Sequence, residues 1–475
     1  MEKIKQAYNT EDFREKGHEM VDFIADFLQD SLEEKNKVIQ YKKPENQLEY
    51  WKNYNKNGID FLKDVTENSI HLHNPKYIGH QVSAIAPFSA ITSMLTSTLN
   101  NGMAIYEMGS TATALEKIIA EKFAEKLNFS KNADGFLTSG GTLASLTALL
   151  AARQEKSEKD VWKNGNSENY AIMVSEQAHY CIDRAARIMG LGEQGIIKIP
   201  SNEKFEMDIS CLENEFQKAQ EKNLKVIAIV GSACSTSTGS YDDLHAISTF
   251  AKEKNIWFHI DGAHGGAVVF SEKYKHLLDG VEKADSVIID LHKMMMTPAL
   301  ATIVMFKNKK HSYQTFHQKA QYLWEKHEDE DWFNLAKRTF ECTKYMMSVK
   351  FMSIVQEYGY EVFEEFIDKT HDTTLEFAKL IEKHPNFELP VTPKSNILCF
   401  KLISDLDIQE QNNIHSKIRQ KLIENGDFYI VQTTLNGKVY LRLTLMNPFT
   451  ELKHLEILLE DILKLENTFK TEKAH

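Results

Sequence analysis

The chain has 475 residues, and its 56 Lys and Arg are outnumbered by 68 Asp and Glu, giving a formal charge of −12 at pH 7. That length buries a large core divided into more than one lobe, and an acidic balance spread along the chain argues against a nucleic-acid partner, which needs basic patches. No stretch approaches the ~18 uninterrupted apolar residues of a membrane span, and the polar start (Met1-Glu2-Lys3-Ile4-Lys5-Gln6) lacks the apolar core of a signal peptide.

Residues 11–35 read as an amphipathic helix, with Phe13, Met20, Val21, Ile24, Phe27 and Leu28 at helical spacing. Its apolar stripe needs a cover, either the chain's own domain or a partner subunit. Residues 35–55 are polar and charged and read as a connector, followed by a second amphipathic piece ending near Asn68. Residues 71–81 form a loop punctuated by Pro75 and Gly79. Its paired His71 and His73 have no third and fourth ligands at a metal-binding spacing, so a pocket wall is the better reading.

From Ala84 a helical pattern runs to Leu127, broken near Asn100-Asn101-Gly102. Phe136-Leu137-Thr138 then enters Ser139-Gly140-Gly141-Thr142, and an Ala- and Leu-rich helix follows over 143–154. A Gly-Gly turn opening a helix offers backbone N–H groups at the positive end of the dipole, a seat for phosphate. It is not a P-loop, since no Gly-Lys-Ser/Thr follows.

Strands over 170–174, 196–199, 225–230, 256–260, 286–290 and 301–306 alternate with helices over 180–189, 209–221 and 242–254. That rhythm predicts an α/β fold with a mostly parallel, doubly wound sheet. Beyond an acidic run at 325–331, helices are expected over 332–358 and 361–383. Strands over 397–402, 428–431 and 439–443, with helices over 411–425 and 451–466, make a small α+β C-terminal domain. The expected division is 1–83 helical and dimer-forming, 84–370 cofactor-binding, and 371–475 C-terminal. Five scattered Cys (Cys181, Cys211, Cys234, Cys342 and Cys399) include no CxxC pair, which suits reduced thiols in a cytoplasm.

The chemistry concentrates at two strand ends. Asp261 closes the apolar run 256–260 and opens Asp261-Gly262-Ala263-His264-Gly265-Gly266, while Lys293 follows the run 286–289 in Asp290-Leu291-His292-Lys293. A carboxylate and a lysine at the C-terminal ends of two parallel strands lie where open α/β sheets bind ligands. This is the pair that pyridoxal phosphate chemistry uses. The amine holds the cofactor aldehyde, and the carboxylate keeps the pyridine nitrogen protonated.

Together the blocks resemble the group II pyridoxal phosphate-dependent decarboxylases, a family that includes glutamate, aromatic amino acid, histidine and diaminobutyrate decarboxylases. The likeness runs from the first helix (Phe13-Arg14-Glu15-Lys16-Gly17-His18) through Thr138-Ser139-Gly140-Gly141-Thr142, Gln177-Ala178-His179-Tyr180, Ser235-Thr236-Ser237-Thr238-Gly239 and Asp290-Leu291-His292-Lys293 to the segment 442–448. It implies an aspartate-aminotransferase (type I) fold with a seven-stranded-type sheet, a homodimer with sites at the interface, and decarboxylation of an L-amino acid to its amine through a Lys293 imine and a quinonoid. Lys293 would be the Schiff-base lysine, Asp261 the pyridinium partner, and His179 and Ala263 the groups on the two ring faces. Gly141, Thr142 and His292 would contact the phosphate, with Asp290 also cofactor-binding and Thr236 near the ring substituents. Arg442 would grip the substrate carboxylate, and His80 and Gln81 would line its side-chain pocket.

The residues read by themselves favour His179 as a cap on the following helix. Tyr322 of Tyr322-Leu323 matches the family's proton donor, with His327 in reserve. Two positions depart from the family pattern: Leu291 replaces a usual proline, and His264 replaces another aromatic. The substrate stays open between acidic, aromatic and diamino acids, and rival outcomes are oxidation to an aldehyde, another lyase reaction or transamination.

Overall fold

The computed structural model describes residues 1–316 and 332–474, which divide into two compact units. One comprises Gln81–Asp372 and Val391–Leu398; the other comprises Met1–His80, Thr373–Pro390 and the chain from Cys399. Tyr322 and His327 lie outside the described residues.

The first unit is built on seven strands: β1 (Asp134–Thr138), β2 (Tyr170–Ser175), β3 (Ile196–Ile199), β4 (Lys225–Ser232), β5 (Trp257–Asp261), β6 (Ser286–Asp290) and β7 (Thr302–Phe306). Their order is β1-β7-β6-β5-β4-β2-β3. Strands β3, β2, β4, β5 and β6 pair in parallel, while β7 runs antiparallel to both β6 and β1. The expected α/β class with a mostly parallel sheet is what the chain adopts. All residues of β1, β2, β5, β6 and β7 are buried, as a sheet covered on both faces requires. The helix Gly141–Lys156 supplies much of one cover. Its Ala144, Ala148, Ala151 and Ala152 allow close approach to Ile172, Val230, Ile288 and Val304, each large apolar side chain adding roughly 1.5–3 kcal/mol by leaving water.

Edge strand β1 meets charged side chains instead of another strand. Glu116, on the helix Tyr106–Lys126, accepts from Leu137 N–H at 3.0 Å, and Lys344 donates to the Leu137 carbonyl at 2.6 Å while pairing with Glu116. Arg338 pairs with Asp134 and donates to the Gly135 carbonyl at 3.3 Å. These groups satisfy the edge backbone and fix where β1 delivers the chain into the Ser139–Thr142 turn.

A second sheet has β8 (Phe387–Glu388), β9 (Ile397–Leu402), β10 (Val431–Leu435) and β11 (Lys438–Thr444) in the order β10-β11-β9-β8, and all of it but Ile397 and Leu398 falls in the second unit. The β10–β11 hairpin turns through Asn436 and Gly437, both at positive φ (50° and 78°), the geometry of a type I′ turn. Helices Thr10–Leu32, Ile408–Asn425 and Leu452–Ala474 belong to this unit.

Three segments differ from the sequence reading. The supposed connector contains a helix, Pro44–Lys52, opened by a proline in its first turn. Its Trp51 ring sits 5.1 Å from Tyr54 and 5.9 Å from Phe61, an aromatic cluster that holds an otherwise charged stretch. Over 332–346 the only helical turn described is the short Leu335–Lys337; the α-helix begins at Met347. Here the side chains of Arg338 and Lys344 are committed to β1. The strand expected over 428–431 begins only at Val431.

Two buried histidines make stability depend on pH. Burial pushes His259 down to about 3 and His371 down to about 4, against about 6.5 in an unfolded chain. As pH falls below about 6.5 the unfolded chain takes up protons that the folded state refuses, so stability is lost on acidification. Asp242, pushed up to about 6 by burial, works the other way and offsets part of the loss. Each imidazole should withdraw on the order of 1–2 kcal/mol by pH 5. The urea midpoint is expected to be lower at pH 5 than at pH 7; an equal or higher midpoint would contradict this.

Candidate active site

β1 ends at Thr138, and the chain passes through Ser139 and Gly140 into the helix Gly141–Lys156. Gly140 sits at φ +127°, which side-chain-bearing residues rarely adopt, and a Cβ on Gly141 would lie 3.0 Å from Asp290 Oδ1. No side chain caps the helix. Its leading N–H groups and positive dipole end therefore make a seat for an anion.

Asp261 and Asp290 end the neighbouring parallel strands β5 and β6, with Asp261 opposite Ile288. Lys293 Nζ lies 2.9 Å from Asp290 Oδ2, and Thr302 Oγ1 donates to Asp290 Oδ1 at 2.5 Å. Burial works against the Lys293 ammonium, but Asp290 and then Asp261 outweigh it and hold its pKa above the ordinary lysine value. His292 Nδ1 is 2.8 Å from the Ala301 carbonyl. Leu291 donates its N–H to the same carbonyl at 2.9 Å, a bond that the family's proline could not make.

Asp261 is buried, and its described donors are weak: Ala263 N–H at 3.2 Å and the Cys181 thiol at 3.9 Å. Burial raises its pKa, while Lys293 and His179 pull in the opposite direction. A carboxylate so buried and so weakly hydrogen-bonded has room for a cationic partner. His179 is held below the ordinary histidine range by burial, and its Nδ1 accepts from Cys181 N–H at 3.3 Å. The imidazole thus caps the helix Cys181–Ile188 and faces the cavity at once, so the two readings of this residue are compatible.

These groups line one cavity of about 430 Å3. Gly141, Thr142, His179, Thr236, Asp261, Ala263, Asp290, His292 and Lys293 all face it; His80, Gln81 and Arg442 do not. An anion seat, a primary amine and a buried carboxylate in want of a cation match the phosphate, aldehyde and pyridine nitrogen of pyridoxal phosphate. The donor set fits that group.

Comparison with known proteins points the same way. The model of the pyridoxal-dependent decarboxylase conserved domain matches residues 43–403. The chain belongs to this family. It is a pyridoxal phosphate-dependent amino acid decarboxylase. The chain is 30% identical over 440 residues to an aspartate 1-decarboxylase of Aliivibrio fischeri, covering 82% of this chain and 79% of that one. It is 28% identical over 351 residues to the L-aspartate decarboxylase dtxS4 of Metarhizium robertsii, covering 72% and 70%. The glutamate decarboxylase domain of a diaminobutyrate-pyruvate transaminase and L-2,4-diaminobutyrate decarboxylase from Vibrio parahaemolyticus superposes with a TM-score of 0.84 at 24% identity, covering 96% and 95%.

Three further residues expected at the decarboxylase's site are not among those lining this cavity. His80 and Arg442 belong to the second unit and Gln81 to the first. The His80 ring lies 5.7 Å from that of Tyr429, and Arg442 on β11 is opposite Val431 on β10. Arg419 donates to the Ile430 carbonyl at 3.4 Å. Partial burial first, then the charges of Arg442 and Arg419, hold His80 below its ordinary range. Cys181 and Arg419 were not foreseen. A thiol beside Asp261 leaves no trace in local pattern, and Arg419 reads as one more charge on a helix.

Proposed function

We propose that this decarboxylase carries its cofactor on Lys293 and acts on an acidic L-amino acid. The observation that carries the reading is the convergence of Lys293, Asp261 and His179 on one cavity at the ends of β5 and β6. Bound pyridoxal phosphate supplies an electron-withdrawing ring that accepts the electron pair released when the Cα–carboxylate bond breaks. Asp261 keeps the proton on the ring nitrogen, and the N-terminus of Gly141–Lys156 takes the phosphate. His179 and Ala263, which both line the cavity, would hold the ring between them. Lys293 would hold the cofactor's aldehyde through its amine, the group that a substrate amine would replace. Arg442 takes a substrate carboxylate through its planar fork, orienting it more than activating it.

The acidic preference draws support from Arg442 and Arg419, whose charges both reach His80. Among the described residues Arg419 pairs with no carboxylate, so a substrate carboxylate would offset that charge. The name of the relative at 30% identity agrees. Protein loaded with pyridoxal phosphate and given a pooled amino-acid mixture should yield the amine of an acidic member. An aromatic or diamino product would overturn the preference, and no amine at all would overturn the reading.

Tyr322, by its match to the family's loop, returns a proton to the substrate α-carbon. Tyr322→Phe should release CO2 with less amine per CO2 than the parent; an unchanged ratio would remove Tyr322 from that role. Residues 1–83 make a homodimer contact in this reading. Exposed Phe13 (60%) and Val21 (46%) on the first long helix favour it. Five cysteines that form no disulfide among the described residues suit a cytoplasmic setting.

A further inference from the structure

Asn396 is fully buried, in the short segment Val391–Leu398 that belongs to the same unit as the cofactor cavity. Its Oδ1 lies 2.7 Å from His264 Nε2, and its Nδ2 donates to Met294 Sδ at 3.2 Å. His264 directly follows Ala263 and itself lines the cavity, while Met294 directly follows Lys293. One amide therefore joins the turn leaving β5 to the turn leaving β6. Both hydrogen-bond partners are buried, His264 at 2% exposure and Met294 at 1%.

The same segment abuts a third part of the cavity. A Cβ added to Gly239, which sits at φ +74°, would collide with Ser395 Oγ and come within 2.9 Å of Ile397 Cβ. Gly239 closes the loop Ser235–Gly239, whose Ser235 and Thr236 also face the cavity. An amide oxygen only accepts, so the bond to Asn396 places the His264 proton on Nε2 and fixes the ring's orientation. An apolar residue at 396 could fill the space, but it would leave Nε2–H of His264 buried without this acceptor.

We propose that Asn396 is a positioning residue of the decarboxylase, setting the separation between Ala263 and Lys293 and hence the angle at which the cofactor ring is held. The proposal rests on the reading that Lys293 and Asp261 hold the cofactor. It is tested on the holoenzyme with Asn396→Leu, His264→Phe and the double variant, reading pyridoxal phosphate affinity and the visible circular dichroism of the bound cofactor. Asn396→Leu should weaken cofactor binding about tenfold and reduce the visible dichroic band. His264→Phe added to it should cost little more, because the shared bond is already gone. Unchanged affinity and dichroism in Asn396→Leu, or effects of the two changes that simply add, would overturn the proposal. Should Asn396→Leu not fold, Met294→Leu and His264→Phe probe the two arms of the same link, and an unaltered cofactor band in both would also overturn it. Failure of the underlying reading shows differently, as parent protein that binds no pyridoxal phosphate at Lys293.

Discussion

Replacing Lys293 by alanine is expected to lower kcat by at least about 10³-fold, because in the proposed function the residue would both anchor the cofactor and give way to the substrate amine. The fold should survive. Asp290, its ion-pair partner, keeps Thr302 at 2.5 Å, and Lys293 is not wholly enclosed, its side chain being 20% exposed. Arginine should not restore the activity, since a guanidinium stays protonated and cannot attack the aldehyde. CO2 release and the visible absorbance of the loaded protein check both statements. A Lys293→Ala enzyme within about tenfold of the parent would remove Lys293 from the chemistry.

The second large effect is expected at Asp261. Asp261→Asn keeps the shape but cannot hold a pyridinium proton, so kcat should fall by about 10²–10³-fold with a much smaller change in KM. The same change should leave the cofactor-free protein as stable as before, or more so. It removes a buried carboxylate whose described donors are a 3.2 Å backbone bond and a 3.9 Å thiol contact. Opposite signs for stability and activity would mark Asp261 as a residue kept for function. Equal losses of both, read by thermal unfolding and steady-state kinetics, would mark it as structural.

How much of this was legible beforehand follows from where each signal lies. Asp261 and Lys293 were readable because each lies at or just beyond the end of a short apolar run, and the runs alternate with helical periodicity that predicts parallel neighbours. The Gly140-Gly141 turn was readable for a similar reason: strand, glycine pair and helix are contiguous. Asn396 was not, since its partners His264 and Met294 are more than a hundred residues away and a lone Asn before a strand carries no pattern. The helix Pro44–Lys52 was hidden by its charge, its anchor being an aromatic cluster completed by Phe61 further on. Over 332–346, where a helix is expected, the long-range bonds of Arg338 and Lys344 to β1 accompany an irregular path that no local rule encodes. Arg442 was named from resemblance, and its nearness to Arg419 and His80 required the fold.

The most direct test is chemical. Borohydride reduction of the protein loaded with pyridoxal phosphate, followed by peptide mapping, should place the cofactor mass on the peptide containing Lys293 and on no other. Recovery of the label on a different lysine, or no stable label in protein that turns over substrate, would contradict the account.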